Sequence, residues 1–138
     1  MRILALDVGT KTIGVAVSDE LGIAAHGVTT VKRTELKRDL EALRKIVDEY
    51  RPSEILVGIP YNFDGTVSKR GKEILKFAEK LKKVFPLPVE FWDESFSTVR
   101  AEEVLIEADL SRRKRKKVID KMAAVFILED YLRAKANI

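Results

Sequence analysis

An uninterrupted apolar run, EILVGI at residues 54–59, constrains the fold most strongly, and it is bounded by Pro52 and Pro60. Continuous rather than alternating hydrophobicity is typical of a strand that is covered on both faces. We therefore expect this strand to lie parallel to the first apolar run, residues 2–6. Burying it requires a sheet with helices on both faces.

The other predicted strands surround this run. Residues 2–6 and 12–18 predict a hairpin, and the β-branched run at 25–31 predicts a third antiparallel strand. A fifth strand is expected at residues 86–92, beginning near a proline. The chain thus opens with three antiparallel strands and continues with strands that are separated by helices.

Helices are predicted where apolar residues recur at helical spacing. The first is capped by Thr34, and the second carries the apolar positions of residues 74–81. The pair Ser97–Thr98 caps a third, and Ser111 caps a last long helix through Leu132. This order predicts the α/β class and a ribonuclease H-like mixed five-stranded sheet, an arrangement that actin-like nucleotide-binding lobes share.

Composition limits the possible chemistry. With 138 residues, of which 46% are apolar and 35% charged, the chain is expected to form one domain over residues 1–138. The absence of Cys excludes disulfides, thiolate metal sites and a cysteine nucleophile, so a metal site must use oxygen ligands or His26. Since the first residues lack the apolar stretch of a signal peptide, we expect a cytoplasmic protein with no membrane partner.

The positive charge is concentrated in one run. The net charge is +4, whereas residues 111–121 alone carry +6. Six consecutive cations at the start of a helix repel one another and the helix dipole, which favours contact with a nucleic acid over a merely solvated face. The six are Arg112, Arg113, Lys114, Arg115, Lys116 and Lys117.

Three acids are candidates for a metal site. Asp7 follows the first strand, Glu94 follows the fifth, and Asp120 lies among the apolar positions of the last helix. Carboxyl ends of parallel strands meet at one edge, so Asp7 and Glu94 approach each other if strands one and five lie near the sheet centre. Mg²⁺ or Mn²⁺ would relieve the repulsion between clustered carboxylates. The alternatives are turn residues for Asp7 and Glu94, and a salt bridge for Asp120.

The loop YNFDGT at residues 61–66 has two interpretations. It is either an ordinary turn with a helix cap, or a loop that faces substrate, with Asn62, Gly65 and Thr66 contacting phosphates. The sequence does not decide between them.

Four ordered motifs resemble the YqgF/RuvX family over essentially the whole chain. They are LALDVGTKTIGVAVSD at residues 4–19, VGIPYNFDGTVSKRG at 57–71, WDESFSTVRAEEVL at 92–105 and SRRKRKKVIDKMAAVFILEDYL at 111–132. The resemblance implies a ribonuclease H-like fold and a carboxylate triad that maps onto Asp7, Glu94 and Asp120. One departure is Ser95, which stands where the family usually has arginine.

The family is described as Holliday-junction resolvases and as nucleases that mature the 5′ end of pre-16S ribosomal RNA. We therefore expect a hydrolase that cuts structured RNA at a Mg²⁺ or Mn²⁺ site, acting as a monomer or weak homodimer on pre-rRNA or on ribosomal precursor particles. Lys11, Arg70 and the basic run at residues 112–117 are expected to contact the nucleic-acid backbone.

Three other functions stay open. A Holliday-junction endonuclease would act on branched DNA, and a non-catalytic RNA-binding assembly factor would use the basic run without cleavage. An actin-like kinase lobe would use residues 7–10 as a phosphate loop, although such kinases need two lobes and this chain has material for one.

Overall fold

The structure is a computed structural model that describes residues 1–94 and 112–136, without the side chains of residues 112–118 and 120. The helix expected after Ser97–Thr98, the cap expected at Ser111 and the departure at Ser95 lie outside the described residues.

Five strands form one mixed sheet, as predicted. Its spatial order is β3-β2-β1-β4-β5, in which β1 pairs antiparallel with β2 and parallel with β4, and β4 pairs parallel with β5. The strands are β1 (Ile3–Val8), β2 (Thr12–Ser18), β3 (Ala25–Lys32), β4 (Glu54–Ile59) and β5 (Val89–Asp93).

Strand β5 differs from its prediction in two ways. It begins at Val89 rather than at residue 86, because Pro86 and Pro88 have no backbone N–H to donate to the ladder. It also lies at the end of the sheet order rather than near the centre, so β4 separates it from β1. Two acids on β1 and β5 can therefore meet only across β4.

Helices cover both faces of the sheet. The helices α1 (Leu36–Tyr50) and α2 (Lys69–Val84) pack on one face, and α3 (Arg112–Ala136) packs on the other, chiefly over β1, β2 and β3. Helix α3 ends one turn beyond the predicted Leu132. No helix in the described part of the chain is long and apolar enough to span a membrane.

The predicted cap at Thr34 is wrong. The residue before α1 is Glu35, whose side chain makes no cap hydrogen bond. Asp39, inside the helix, instead accepts the Thr34 N–H at 3.0 Å and binds Arg33 Nε at 3.4 Å. The Thr34 hydroxyl is therefore not the cap of α1, and a carboxylate from within the helix accepts the Thr34 backbone N–H instead.

Alternation along β1 decides which face each side chain occupies. Leu4, Leu6 and Val8 join the core beneath α1 and α2, whereas Ile3 and Ala5 join the core beneath α3. Asp7 has the parity of Ile3 and Ala5. Its carboxylate therefore belongs to the α3 face, at the carboxyl end of the central strand.

Candidate active site at the carboxyl end of the sheet

Asp7 is a buried acid at the next-to-last residue of β1. It lies opposite Gly14 of β2, and only 8% of it is exposed. An ionised carboxylate at such a position needs hydrogen-bond donors or a cation nearby, because desolvation disfavours the charged form.

Glu94 continues β5 by one residue. Its N–H donates to the Ile59 carbonyl at 3.1 Å, which extends the parallel ladder between β4 and β5. Alternation gives it the parity of Trp92, which packs against the core beneath α3. The Glu94 Oε2 atom is buried and has no hydrogen-bond partner among the described residues. Such an oxygen is rare in folded proteins and calls for an explanation.

Gly58 of β4 provides the space in which this carboxylate lies. A Cβ atom at Gly58 would lie 2.8 Å from Glu94 Oε2 and 3.0 Å from Glu94 Cβ. Because Leu6 pairs with Val57, the next residue of β4 lies beside Asp7. The Glu94 side chain thus lies over Gly58, the residue of β4 that is beside Asp7.

Sequence reasoning did not single out Gly58. A glycine inside a strand weakens the strand and often marks a place where another group packs closely against the backbone. This glycine was therefore the signal in the sequence that could have identified the position. The same position also accommodates α3, because a Cβ at Gly58 would lie 2.7 Å from Ile127 Cδ1.

Helix α3 points opposite to β4 and crosses the sheet, from Lys121 over Gly27 of β3 to Ile127 over Gly58 of β4. Ile127 lies against Gly58 near the carboxyl end of β4, whereas Lys135 Nζ contacts Glu54 Oε1 at 3.4 Å at the strand's start. Asp120 precedes Ile127 by seven residues, about two helical turns, and directly precedes Lys121, whose side chain lies over Gly27 of β3. The side chain of Asp120 is outside the described part of the structure.

The structure therefore brings two of the three predicted acids, Asp7 and Glu94, to one edge. Among the described side chains, no group of three His, Cys, Asp or Glu is arranged to hold a metal ion. The side chain of Asp120, the third predicted ligand, lies outside the described set, so its place in a metal site stays a prediction.

Two arginines hold the chain just after Asp7 from the other face. Arg33 Nη1 donates to the Gly9 carbonyl at 2.7 Å, and Arg70 Nη2 donates to the Val8 carbonyl. Arg70 also lies 3.6 Å from Glu73. The structure thus shows Arg70 in contacts within the protein, and its predicted contact with nucleic acid stays a prediction, as does that of the exposed Lys11.

Residues 61–66 form a turn that uses their own polar groups. Asn62 Nδ2 donates to Thr66 Oγ1 at 2.9 Å, and the Thr66 hydroxyl donates to Asp64 Oδ1 at 2.6 Å. These bonds from Thr66 lower the pKa of Asp64 below 3.8. The interpretation as an ordinary turn accounts for these groups, and the predicted phosphate contacts at Asn62, Gly65 and Thr66 are untested.

The basic run forms the first turns of α3. Its backbone, from Arg112 onward, is helical as predicted, and its side chains lie outside the described part of the structure.

Two curated relatives are similar to this chain over nearly its whole length. A protein of Thermoanaerobacter pseudethanolicus named "Putative pre-16S rRNA nuclease" is 51% identical over 138 residues, covering 99% of both chains. A protein of the same name from Desulforamulus reducens is 53% identical over 137 residues, covering 99% of this chain and 100% of the relative.

Two solved structures share the fold. RuvC of T. thermophilus in complex with a Holliday junction has a TM-score of 0.63 at 17% identity, covering 99% of this chain and 96% of RuvC. The Fowlpox virus resolvase bound to Holliday junction DNA has a TM-score of 0.62 at 14% identity, covering 98% of this chain and 99% of the resolvase. The chain therefore has the ribonuclease H-like fold of these resolvases.

The profile of the RuvX family, described as Holliday junction resolvase, matches residues 1–134. Together with relatives that are half identical over nearly their whole length, this match means that the chain belongs to the RuvX family.

Proposed function

We propose that this protein is a nuclease that hydrolyses phosphodiester bonds in structured RNA, and that the 5′ end of pre-16S ribosomal RNA is its substrate. The observation that carries the proposal is the buried Glu94 Oε2 atom, which has no hydrogen-bond partner among the described residues and lies over Gly58, the residue of β4 beside Asp7. Folding alone gives no reason to desolvate a carboxylate in this way.

A divalent cation fits these residues. Mg²⁺ and Mn²⁺ prefer oxygen ligands, and the site offers carboxylates with no Cys in the chain and His26 exposed on β3. We assign Asp7, Glu94 and Asp120 as the catalytic metal ligands. When bound, such an ion supplies a Lewis acid that activates water and stabilises the leaving oxygen of a phosphodiester.

The chain's own residues position this chemistry. Arg33 and Arg70 fix the backbone that follows Asp7, and the bond from the Glu94 N–H to Ile59 fixes the start of the second ligand. The cations at residues 112–117, with Lys11 and Arg70, supply sequence-independent contacts to the nucleic-acid backbone. We place this activity in the cytoplasm, in a single domain that acts as a monomer or weak homodimer.

The name that the two relatives share, "Putative pre-16S rRNA nuclease", supports RNA as the substrate. The description of the family profile, Holliday junction resolvase, supports branched DNA as a second candidate. Two phosphodiester cuts in one junction require two sites, so this second function needs a dimer.

The deciding experiment is cleavage of a precursor 16S RNA fragment and of a four-way DNA junction, side by side, with Mn²⁺, Mg²⁺ or EDTA. Wild type is compared with Glu94→Gln, Asp120→Asn and Asp39→Asn. The last is a matched control, because Asp39 is a buried acid that lies near the same edge but on the opposite face.

Metal-dependent cutting of the RNA, lost in Glu94→Gln and Asp120→Asn but kept in Asp39→Asn, is the expected result. Cutting of the junction alone would select the second candidate. Binding of RNA without cutting of either substrate would overturn the proposal in favour of a non-catalytic assembly factor.

A further inference from the structure

The loop that follows β4 is a closed hairpin turn. The Gly65 N–H donates to the Asn62 carbonyl at 2.9 Å, and the Asn62 N–H donates to the Thr66 carbonyl at 2.8 Å. Gly65 has φ of 86°, the left-handed value that a three-residue hairpin loop requires at its last position. Tyr61 and Val67 pair across its base. This network holds the tip in one conformation.

Phe63 occupies that tip and is fully exposed, with a relative exposure of 107%. Nothing in the turn requires a phenyl ring there, because the second position of such a turn accepts most residues and favours proline. The polar neighbours bind one another, since Asn62 Nδ2 donates to the Thr66 hydroxyl and that hydroxyl donates to Asp64 Oδ1. The rigid turn therefore presents one large apolar ring to solvent.

The residues that flank the turn on both sides are hydrogen-bonded to segments of the candidate active site. Before it, the Ile59 carbonyl accepts the N–H of Glu94, and after it, Arg70 donates to the carbonyl of Val8, next to Asp7. The first turn of α2 contains no acid and carries the exposed Lys69 and Lys72. In the chain, the ring thus lies between Ile59, which binds the Glu94 N–H, and the exposed cations at the start of α2.

We propose that Phe63 is a stacking site for an unpaired nucleobase that flanks the bond to be cut. This inference rests on the proposed nuclease function and names the kind of substrate that the site selects, which is a strand with an unpaired base beside the scissile phosphate. The two faces of an exposed aromatic ring suit stacking on any base, whereas bases inside a duplex are already stacked and are out of reach.

The test is binding in EDTA, so that no cleavage is needed. The probes are an RNA duplex with a short single-stranded overhang that contains 2-aminopurine, and a blunt duplex of the same sequence. Wild type is expected to bind the overhang more tightly and to quench its fluorescence. Phe63→Ala should weaken overhang binding about tenfold and leave blunt-duplex binding unchanged.

Three controls separate stacking from other effects. Phe63→Leu keeps apolar bulk without a ring and should behave like the alanine variant, whereas Phe63→Trp should restore binding and quenching. Leu21→Ala removes another exposed apolar side chain, 82% exposed in a different turn, and should change nothing. Since Phe63 has no buried contact to lose, all variants should melt at the wild-type temperature.

Equal affinity for both RNAs, or full rescue by leucine, would overturn the inference. A drop in sedimentation coefficient on Phe63→Ala, with unchanged RNA affinity, would also overturn it and assign the ring to contact with a second copy of the chain. Selective overhang binding by a protein that cuts no substrate would remove the nuclease proposal while keeping this one. Cleavage of precursor RNA that is indifferent to Phe63 would do the reverse.

Discussion

Two acids near the same edge of the sheet, the buried Asp39 and the half-buried Glu94, differ in their surroundings. On the α1 and α2 face, Asp39 is 3% exposed and contacts Arg33 Nε and the Thr34 N–H. On the α3 face, the Oε2 atom of Glu94 is buried with no hydrogen-bond partner among the described residues. Both carboxylates have an oxygen that lost water on folding. Among the described residues, hydrogen bonds replace that water at Asp39 but not at Glu94 Oε2.

This difference distinguishes a carboxylate with a structural role from one with a proposed catalytic role. A buried carboxylate that is paired and hydrogen-bonded can hold a turn in place, and Asp39 does so through Arg33, which also binds the Gly9 carbonyl. A buried carboxylate without such partners costs stability, and proteins retain such groups where function requires them. One face of the edge thus carries the hydrogen-bonded Asp39 in a supporting role, and the other carries Asp7 and Glu94, the acids of the proposed site.

The largest expected effect is that of Glu94→Gln. Loss of a proposed metal ligand should lower the rate of RNA cleavage by more than about 100-fold, since a bound metal contributes several kcal/mol to such reactions. The melting temperature should stay equal or rise, because a neutral amide is less costly to bury than an unpaired charge. Cleavage kinetics and thermal melting of the same preparation check both. A large loss of stability would show that Glu94 has a structural role and would remove the contrast with Asp39.

Gly58→Ala should have the next largest effect. Its Cβ would overlap Glu94 Oε2 and Ile127 Cδ1, so the carboxylate must move. A displacement of about 1 Å at a catalytic group lowers rates by up to about 100-fold, and overpacking costs about 1–3 kcal/mol. Single-turnover cleavage and urea unfolding measure the two effects.

The matched control for that variant is Gly27→Ala. A Cβ at Gly27 would lie 2.9 Å from Lys121 Cγ, the stem of a flexible side chain that can shift. We expect a smaller loss of stability and cleavage within a few-fold of wild type. Equal loss of cleavage in both variants would mean that crowding of the α3 face in general, rather than displacement of Glu94, is responsible.

Asp39→Asn should mainly affect stability. It removes the charge that pairs with Arg33 while keeping an oxygen for the Thr34 N–H, and we expect a loss of about 1.5 kcal/mol. Urea unfolding measures this, with Asp48→Asn as a control at an exposed position of the same helix. Unchanged stability would contradict the supporting role of this face.

The smallest expected effect concerns an exposed acid that is hydrogen-bonded. The bonds from Thr66 lower the pKa of Asp64 below 3.8, so its contribution to the turn is complete above that value and is lost as the pH falls through the lowered pKa. An NMR titration should show the Asp64 carboxyl and the Thr66 amide changing together in that acidic range. Asp19, whose pKa is lowered chiefly by the Ile23 N–H, should behave likewise. An Asp64 titration at or above 3.8 would contradict the bonding of the turn.

Local patterns in the sequence predicted the elements and the edge. The continuous run at residues 54–59 predicted a buried parallel strand, which is β4, and the rule that strand ends converge brought Asp7 and Glu94 to one edge. Both predictions depend on residues that are close in sequence or on general sheet geometry.

Contacts between distant segments were not predictable in this way. The role of Gly58 depends on the strand order, which places β4 between the two acids, and on Glu94, which lies far along the chain. The predicted cap at Thr34 was wrong because α1 begins one residue later, after Glu35, and Asp39 accepts the Thr34 N–H. Arg70 donates to the carbonyl of Val8, which is 62 residues away in the sequence. Long side chains select such partners only once the fold has formed.

Helix α3 is continuous from residue 112 to residue 136. The proposed site therefore depends on the number of residues in this helix as well as on which residue stands at position 120. The position of residue 120 relative to Ile127 is determined by the helical turns between them. Deleting one residue there would rotate position 120 by about 100° about the axis and shift it by about 1.5 Å. Evolution in this segment should therefore exchange residues freely at exposed positions while conserving its length.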